Sequence, residues 1–268
     1  MNQVPAFEHT RAENLAEALE LLHDDALPYH GGTELLAVMR LGLLRPGRLV
    51  DLKRVEELTT IERDGDDLVI GGGVTHQAIA DSELVGTDAP MLAYVAARVG
   101  NMRVRACGTI GGNLVFAEPR SDVASALLAL DARVVLQTAE SRREVGLDDF
   151  ILGGYVTDLA PGELLTEVRI DATAGRWGVY RKFQTAERPT VGVALVMDPN
   201  GVARLAIGAV GDRPVLVVAD DLADLDAHEI ARGLDVIEDL SGSEAYKRHC
   251  AEVTIRRTID DLDAASSR

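Results

Sequence analysis

Gly108-Thr109-Ile110-Gly111-Gly112-Asn113 is the stretch on which the reading of this chain turns. Glycines let a backbone come close to a ligand, and N–H groups pointing out of a turn or a helix start make a seat for phosphate oxygens. A turn of the same kind, His30-Gly31-Gly32-Thr33-Glu34, ends the short run Ala26-Leu27-Pro28-Tyr29 and opens a helix; Gly71-Gly72-Gly73 follows the strand-like Leu68-Val69-Ile70. Each alone reads equally well as a plain strand-to-helix turn. Three in one chain favour a ligand that carries phosphate.

None of the three fits a common nucleotide template. Val74-Thr75-His76 follow Gly73, so there is no GxGxxG, and no GxxxxGK(S/T) occurs, which disfavours a Rossmann site and a P-loop. His30-Gly31-Gly32 is similar to the oxyanion loop of an esterase, but the chain has no GxSxG elbow to supply a nucleophile. The histidines, His9, His23, His30, His76, His228 and His249, include no HExxH or other close ligand spacing for a metal. Apart from His30 beside its loop, they read as surface or capping residues. Asp122, which follows Ser121 at a helix start, reads either as a first-turn acid favoured by the helix dipole or as an acceptor for a ligand ribose. Lys182, within Tyr180-Arg181-Lys182-Phe183, has the setting of a solvated face lysine. Lys247, Arg248, His249, Arg256 and Arg257 form a basic cluster that either complements acidic neighbours or faces an acidic partner subunit.

Outward from the glycine segments the pattern is α+β. Leu15, Leu19 and Leu22 mark an amphipathic helix over Asn14 to His23. Ala26 to His30, a helix from Glu34 to Leu44, and Leu49 to Leu52 make a small βαβ unit ending near residue 55. Leu58 to Glu62 and Leu68 to Ile70 around Asp64-Gly65 read as a hairpin. Helices are expected over Thr75 to Asp81, Pro90 to Val99 and Val123 to Leu130, the last capped by Ser121-Asp122. Strands at Arg133 to Gln137 and Leu164 to Ile170 enclose a loop around Phe150 to Pro161, and Asp171 to Gly175 reads as a linker. Beyond it, Gly178 to Phe183, Val191 to Met197, Ala203 to Val210 and Pro214 to Val218 form an antiparallel meander, followed by helices over Asp221 to Asp235 and Ser243 to Ile259.

The 268 residues are 47% hydrophobic and 26% charged, an ordinary globular balance long enough for two or three subdomains. The net charge of −17 repels nucleic-acid backbones and anionic membrane surfaces. Cys107 and Cys250 are the whole cysteine complement, so a thiolate-held iron–sulfur cluster or structural zinc cannot be assembled from this chain alone. The start lacks the basic and apolar regions of a signal peptide, and no stretch approaches the ~18 apolar residues of a membrane span. The expected setting is soluble, reducing and cytoplasmic.

In order along the chain, His30 to Leu35, Gly71 to His76, Val104-Arg105-Ala106-Cys107-Gly108-Thr109-Ile110-Gly111-Gly112-Asn113-Leu114, Ser121-Asp122 and Gly162-Glu163-Leu164-Leu165-Thr166-Glu167-Val168 resemble the FAD-binding medium subunit of the xanthine dehydrogenase and carbon monoxide dehydrogenase family of molybdenum hydroxylases. The resemblance runs nearly end to end, and GTIGGN with a following acid is its most specific part. It implies an α+β fold: a two-part FAD-binding domain of the PCMH, vanillyl-alcohol-oxidase-like type, in residues 1–55 and 56–171, then a C-terminal antiparallel sheet with packed helices of the CO dehydrogenase flavoprotein type in residues 176–264. It implies FAD on this chain, a molybdopterin cofactor on a large subunit and two 2Fe–2S clusters on a small subunit, assembled as a dimer of heterotrimers.

The resemblance also implies site roles. His30, Gly31, Gly32, Thr33, Glu34 and Leu35, with Thr109, Ile110, Gly111, Gly112 and Asn113, would hold the pyrophosphate and its flanks through backbone N–H groups. Asp122 would bind the adenosine portion, Leu165 would lie near the isoalloxazine, and Lys182 would sit near its pyrimidine edge. No side chain need be an acid, base or nucleophile, because the flavin carries the redox chemistry. Two departures stand out: His30 occupies a place where the family usually has a small residue, and Ala106-Cys107 one where relatives often carry polar or basic residues. The expected function is delivery of electrons from partner clusters to an external acceptor. The alternatives are a self-sufficient flavin reductase or oxidase, as in the related cell-wall precursor reductases, and a non-catalytic module that has lost FAD.

Overall fold

Short polar side chains set several of the helix starts. Asn14 accepts from the Glu17 N–H, Thr75 from Ala78, Thr109 from Gly112 and Ser121 from Ala124, each satisfying a donor that a first helical turn leaves unpaired. The structure, a computed structural model, describes residues 4–23, 25–172, 177–185 and 187–266. Of the expected linker, Thr173 to Gly175 lie outside the described residues.

The N-terminal part contains β1 (Glu8–Arg11), α1 (Leu15–Leu21), β2 (Ala26–Tyr29), α2 (Leu35–Arg40) and β3 (Arg48–Asp51). Its three strands are parallel in the order β1-β3-β2, so Pro28 lies on an edge strand, where a missing N–H costs no ladder bond. The expected βαβ is β2-α2-β3. Strand β1 is additional: its Glu-His-Thr-Arg sequence offers no apolar alternation to read. Helix α2 stops at Arg40, short of Leu44, because Gly42 turns the chain with φ +76°.

The central part runs through β4 (Ile61–Asp64), β5 (Asp67–Gly71), α3 (His76–Asp81), α4 (Glu83–Asp88), α5 (Pro90–Ala96), α6 (Met102–Cys107), α7 (Ile110–Phe116), α8 (Asp122–Ala129), β6 (Arg133–Gln137), β7 (Arg142–Gly146), α9 (Leu147–Phe150), β8 (Ile151–Gly153), β9 (Val156–Thr157) and β10 (Leu164–Asp171). Five strands form an antiparallel sheet in the order β4-β5-β10-β6-β7, so the last strand made lies between two hairpins. Leu68 and Ile70, Val134 and Leu136, and Val168 and Ile170 alternate onto one face and share a core with α3, α5, α7 and α8. The first hairpin begins at Ile61 rather than Leu58, because Glu56–Thr59 coil into a 3-10 turn that buries Leu58. The expected loop at Phe150 to Pro161 contains the short hairpin β8-β9. Gly108 to Asn113 is not a turn throughout: after Thr109 it is the first turn of α7.

The C-terminal part is the meander β11 (Trp177–Phe183), β12 (Val191–Met197), β13 (Ala203–Gly208) and β14 (Val215–Ala219), with α10 (Ala227–Gly233) and α11 (Glu244–Ser266). β12 is buried on both sides. Val191, Val193 and Leu195 join a core with Ala231 of α10 and Ala251 and Ile255 of α11, while Ala194 and Val196 join the core beneath α8. Gly208 makes that second packing close, since a Cβ there would run into Ser125 Oγ of α8. The expected helix over Asp221 to Asp235 is broken: Asp221 caps a 3-10 turn, and Asp226 starts α10 afresh. α11 continues beyond Ile259 to Ser266. Its basic cluster largely serves internal partners. Lys247 is buried and donates to Ile237 O at 2.8 Å and Asp239 at 3.1 Å; Arg248 caps the end of α10 through Ala231 O and Leu234 O; Arg256 pairs with Glu252. Among the described residues, no helix is long and apolar enough to cross a membrane.

Candidate functional site

The N-terminal loop, the α6–α8 region and the C-terminal sheet meet around one cleft of about 730 Å³, inside the ~300–1,000 Å³ range of small-molecule sites. Leu35, Leu44, Leu52, Leu58 and Leu165 give it apolar walls.

The first loop carries the chain from edge strand β2 into α2. Gly32 takes φ +65°, and a Cβ on Gly31 would collide with the carbonyl oxygen of Cys107 at the end of α6. The loop is therefore pressed against the start of the second glycine segment. The hydrogen bonds at the start of α2 begin with the Leu36 N–H, which donates to Gly32 O at 3.2 Å. Among the described residues, nothing accepts from the backbone N–H groups of Gly31, Gly32, Thr33 or Glu34. These are donors held for something outside the protein.

The second segment is used differently. Ile110 N–H donates to Val74 O at 2.9 Å, Gly111 N–H to Gly72 O at 2.9 Å, Gly112 N–H to Thr109 Oγ1 at 3.1 Å and Asn113 N–H to Thr109 O at 3.0 Å. Protein oxygens thus take four of the five N–H groups expected at a pyrophosphate, and among the described residues nothing accepts from the fifth, the Thr109 N–H. The glycines act sterically: a Cβ on Gly111 would lie 2.6 Å from Gly72 O, and Gly72 in turn donates to Thr166 O at 2.7 Å. That stitching lays α7 directly on the turn after β5 and on a bulge in β10 between Leu165 and Glu167. Leu165 thus lines the cleft, whereas Ile110 is fully buried in the core and does not reach it.

Two histidines line the same cleft. His30 Nε2 and His76 Nδ1 are buried with no hydrogen-bond partner among the described residues. Burial, aided by Lys53, lowers the His30 pKa against an opposing pull from Asp51; burial alone brings His76 down to about 4. Both rings are thus biased toward the neutral form. His76 is a correction: it is 2% exposed, not a surface or capping residue.

Asp122 opens α8 at the other wall. Its Oδ1 accepts from the Tyr180 hydroxyl at 2.5 Å and its Oδ2 from Lys182 Nζ at 2.7 Å. Gly192 on β12 leaves the room, since a Cβ there would run into the Tyr180 oxygen. Burial first, then the Asp122 carboxylate, push the Tyr180 phenol well above its ordinary pKa and keep it a donor. Lys182 is paired rather than solvated. The two residues, assigned to separate portions of the cofactor from the sequence, lie 2.7 Å apart.

Arg188 closes the rim. It donates to Glu34 on the first loop at 2.9 Å and lies 3.4 Å from Glu118, which also accepts from Arg120 at 3.0 Å and from the Tyr155 hydroxyl at 3.0 Å. Against the burial that opposes it, Arg120, Arg188 and Tyr155 hold the Glu118 carboxyl below its usual range.

Of the expected site residues, His30, Gly31, Gly32, Thr33, Glu34, Leu35, Thr109, Gly111, Gly112, Asn113, Asp122, Leu165 and Lys182 all line this cleft. Sequence reasoning missed His76, Arg120 and Arg188. Gly71-Gly72-Gly73 was the signal for His76, whereas nothing local marks Arg188, which reaches Glu34 across 154 residues of chain.

The cleft suits a dinucleotide such as FAD. It sets unspent N–H donors at a glycine turn on one side, for phosphate oxygens, and leucines with orphaned imidazole nitrogens on the others, for rings with polar edges. Comparison with known proteins points the same way. Residues 5–172 match the family described as FAD binding domain in molybdopterin dehydrogenase. The chain is 29% identical to the glyceraldehyde dehydrogenase medium chain of Sulfolobus acidocaldarius, over 96% of this chain and 99% of that one. It is 31% identical to the nicotine 6-hydroxylase medium subunit of Paenarthrobacter nicotinovorans, over 98% and 99%. Its fold matches the solved structure of reconstituted CO dehydrogenase from Oligotropha carboxidovorans with a TM-score of 0.91 at 28% identity, covering 98% of this chain and 99% of that one.

Proposed function

Because the chain belongs to the family of FAD-binding domains in molybdopterin dehydrogenases, we propose that it is the FAD-carrying electron-transfer subunit of a heteromeric molybdenum hydroxylase. The observation that carries the reading is the row of unspent N–H groups from Gly31 to Glu34 facing a leucine-walled cleft. Bound FAD would supply the redox chemistry, receiving electrons from iron–sulfur clusters on a partner and releasing them to an external acceptor.

The chain's own residues bind, orient and insulate. Gly31, Gly32, Thr33 and Glu34 donate to the pyrophosphate, while Thr109, Gly111, Gly112 and Asn113 form the floor that holds the first loop and α7 in register. Leu165 would lie near the ring system and, with Leu58, help keep water off it. Asp122 and Lys182 together serve one portion of the cofactor. Tyr180 fixes the Asp122 carboxylate, so the Lys182 cation stays beside it and available to negative charge. His30 and His76 offer neutral ring nitrogens to polar edges of the ligand.

The partners in this reading are a large molybdopterin-binding subunit and a small iron–sulfur subunit, arranged as a dimer of heterotrimers in the cytoplasm. The cysteines fit a reducing compartment: Cys107 and Cys250 are free. The subdomain limits we adopt are 1–55, 56–171 and 176–264.

The test is reconstitution of the purified chain with FAD. The expected result is a flavin absorbance band that survives gel filtration, with no hydroxylation of any substrate until the partners are added. A chain that takes up no flavin overturns the proposal, and turnover by the chain alone transfers it to a stand-alone flavin reductase or oxidase.

A further inference from the structure

In a chain of net charge −17 most of the described lysines and arginines have a carboxylate partner, and the exceptions are not scattered. Among the described residues, the arginines without an ion pair are Arg40, Arg45, Arg98, Arg103, Arg105 and Arg257. All but Arg257 fall in two short segments, 40–45 from the last residue of α2 onward and 98–105 around α6. Both segments border the cleft, through Leu44 on one side and Arg98, Asn101 and Val104 on the other. Two acids near these segments are already engaged: Glu34 by Arg188, and Asp81 by Gln77.

The same segments carry aliphatic side chains left largely in water. Leu41 is 68% exposed, Leu43 76% and Met102 71%. Exposed leucine and methionine beside unpaired arginine, with acids absent, is the composition of the buried centre of a protein–protein interface rather than of a free surface. A small anion would satisfy the arginines and leave those three side chains wet.

We propose that segments 40–45 and 98–105 form one docking surface at the cleft mouth for a protein face that is acidic around an apolar centre. On the functional reading above, upon which this identification rests, the occupant is the electron-donating iron–sulfur subunit, since a donor to a flavin seated in the cleft has to close on its mouth. Arg98 and Arg105 are pre-set for the task. Arg98 lies 3.5 Å over the Tyr94 ring and donates to Tyr94 O at 3.0 Å; Arg105 donates to Val99 O at 3.2 Å and Gln77 Oε1 at 3.3 Å. Arg40, Arg45 and Arg103 are exposed and unheld, which suits early electrostatic steering of the partner.

The experiment uses the full chain loaded with FAD and the iron–sulfur subunit of its complex. Arg40→Glu/Arg45→Glu/Arg103→Glu is expected to weaken association at least tenfold at ~0.1 M salt, with the gap closing toward ~1 M as the screening length falls from ~10 Å to ~3 Å. Leu43→Ser/Met102→Ser is expected to weaken it as much, with the salt dependence of the wild type kept. Flavin content and melting temperature should not move in either variant, because all five side chains point into water. Affinity within twofold of wild type in both variants overturns the surface. So does unchanged affinity with a raised KM for an anionic small-molecule acceptor, which would assign the arginines to that acceptor. A wild-type chain that takes up no flavin sinks the functional reading itself.

Discussion

Replacing Asp122 with alanine removes one carboxylate and strands two donors, and the structure sets the scale of the loss. The half-buried Tyr180 hydroxyl, beside Gly192 of β12, loses the acceptor it has among the described residues, at roughly 1–3 kcal/mol. Lys182 loses its counter-ion, and breaking a fully buried pair costs about 3–5 kcal/mol. Its side chain is 22% exposed against 9% for Asp122 and borders the cleft, so the lower end applies. Asp122→Ala should therefore cost about 4 kcal/mol. Tyr180→Phe removes a single hydrogen bond to a carboxylate that keeps Lys182, at about 1.5 kcal/mol. In the double variant the hydroxyl is no longer stranded, so it should be no worse than Asp122→Ala alone, and the two changes should couple by roughly 2 kcal/mol. The assay is urea denaturation of the flavin-free chain, which keeps ligand binding out of the comparison, with midpoints compared at constant slope. If the single effects add to within ~0.5 kcal/mol, the hydroxyl does not depend on the carboxylate and the account of this wall is wrong.

Three further outcomes follow from the cleft. His76 has a folded pKa of about 4 against an ordinary 6.5, so as pH falls the unfolded chain takes up the proton first. Stability from this residue is complete above ~6.5, is lost on descending to ~4 and is level below, about 3 kcal/mol in all at ~1.36 kcal/mol for each pH unit between the two values. His76→Gln should flatten that part of the acid limb in thermal melts, and an unchanged limb would contradict the assignment. Gly31→Ala drives a methyl group into the Cys107 carbonyl; a cost of about 1–3 kcal/mol and at least tenfold weaker FAD binding, read by flavin fluorescence, are expected. Arg188→Ala cuts a half-exposed tie to Glu34 worth less than ~1 kcal/mol to stability, yet it should speed FAD dissociation in stopped-flow chase experiments; an unchanged rate would remove Arg188 from the rim.

Much of this arrangement is written locally. The caps at Asn14, Thr75 and Ser121, the apolar alternation of β12 and β13, and the β2-α2-β3 unit all follow from patterns a few residues long. What stayed hidden depends on distant partners. Strand β1 is polar and exists because β3 offers an edge to it. The expected turn at Gly108 to Asn113 is a helix start because Thr109 caps it and Gly72 accepts from Gly111. The site followed the same rule. Thirteen of the fourteen expected residues reach the cleft, Ile110 being the exception, but the meeting of Asp122 with Lys182 and of Glu34 with Arg188 is made only by folding.

The place of β10 in its sheet bears on how the protein is made. β5 ends at Gly71 and β10 at Asp171, and until the second of these has emerged, β5 and β6 each lack their shared neighbour. A hundred residues at ~5–20 per second is roughly 5–20 s of synthesis during which the apolar edge of β5 stands open, joined by that of β6 once Gln137 is made. Thr166 on that late strand also accepts from Gly72, which in turn accepts from Gly111. The floor of the cleft is thus finished by the strand that arrives last, so a nascent chain gains a flavin seat only after its central sheet has closed.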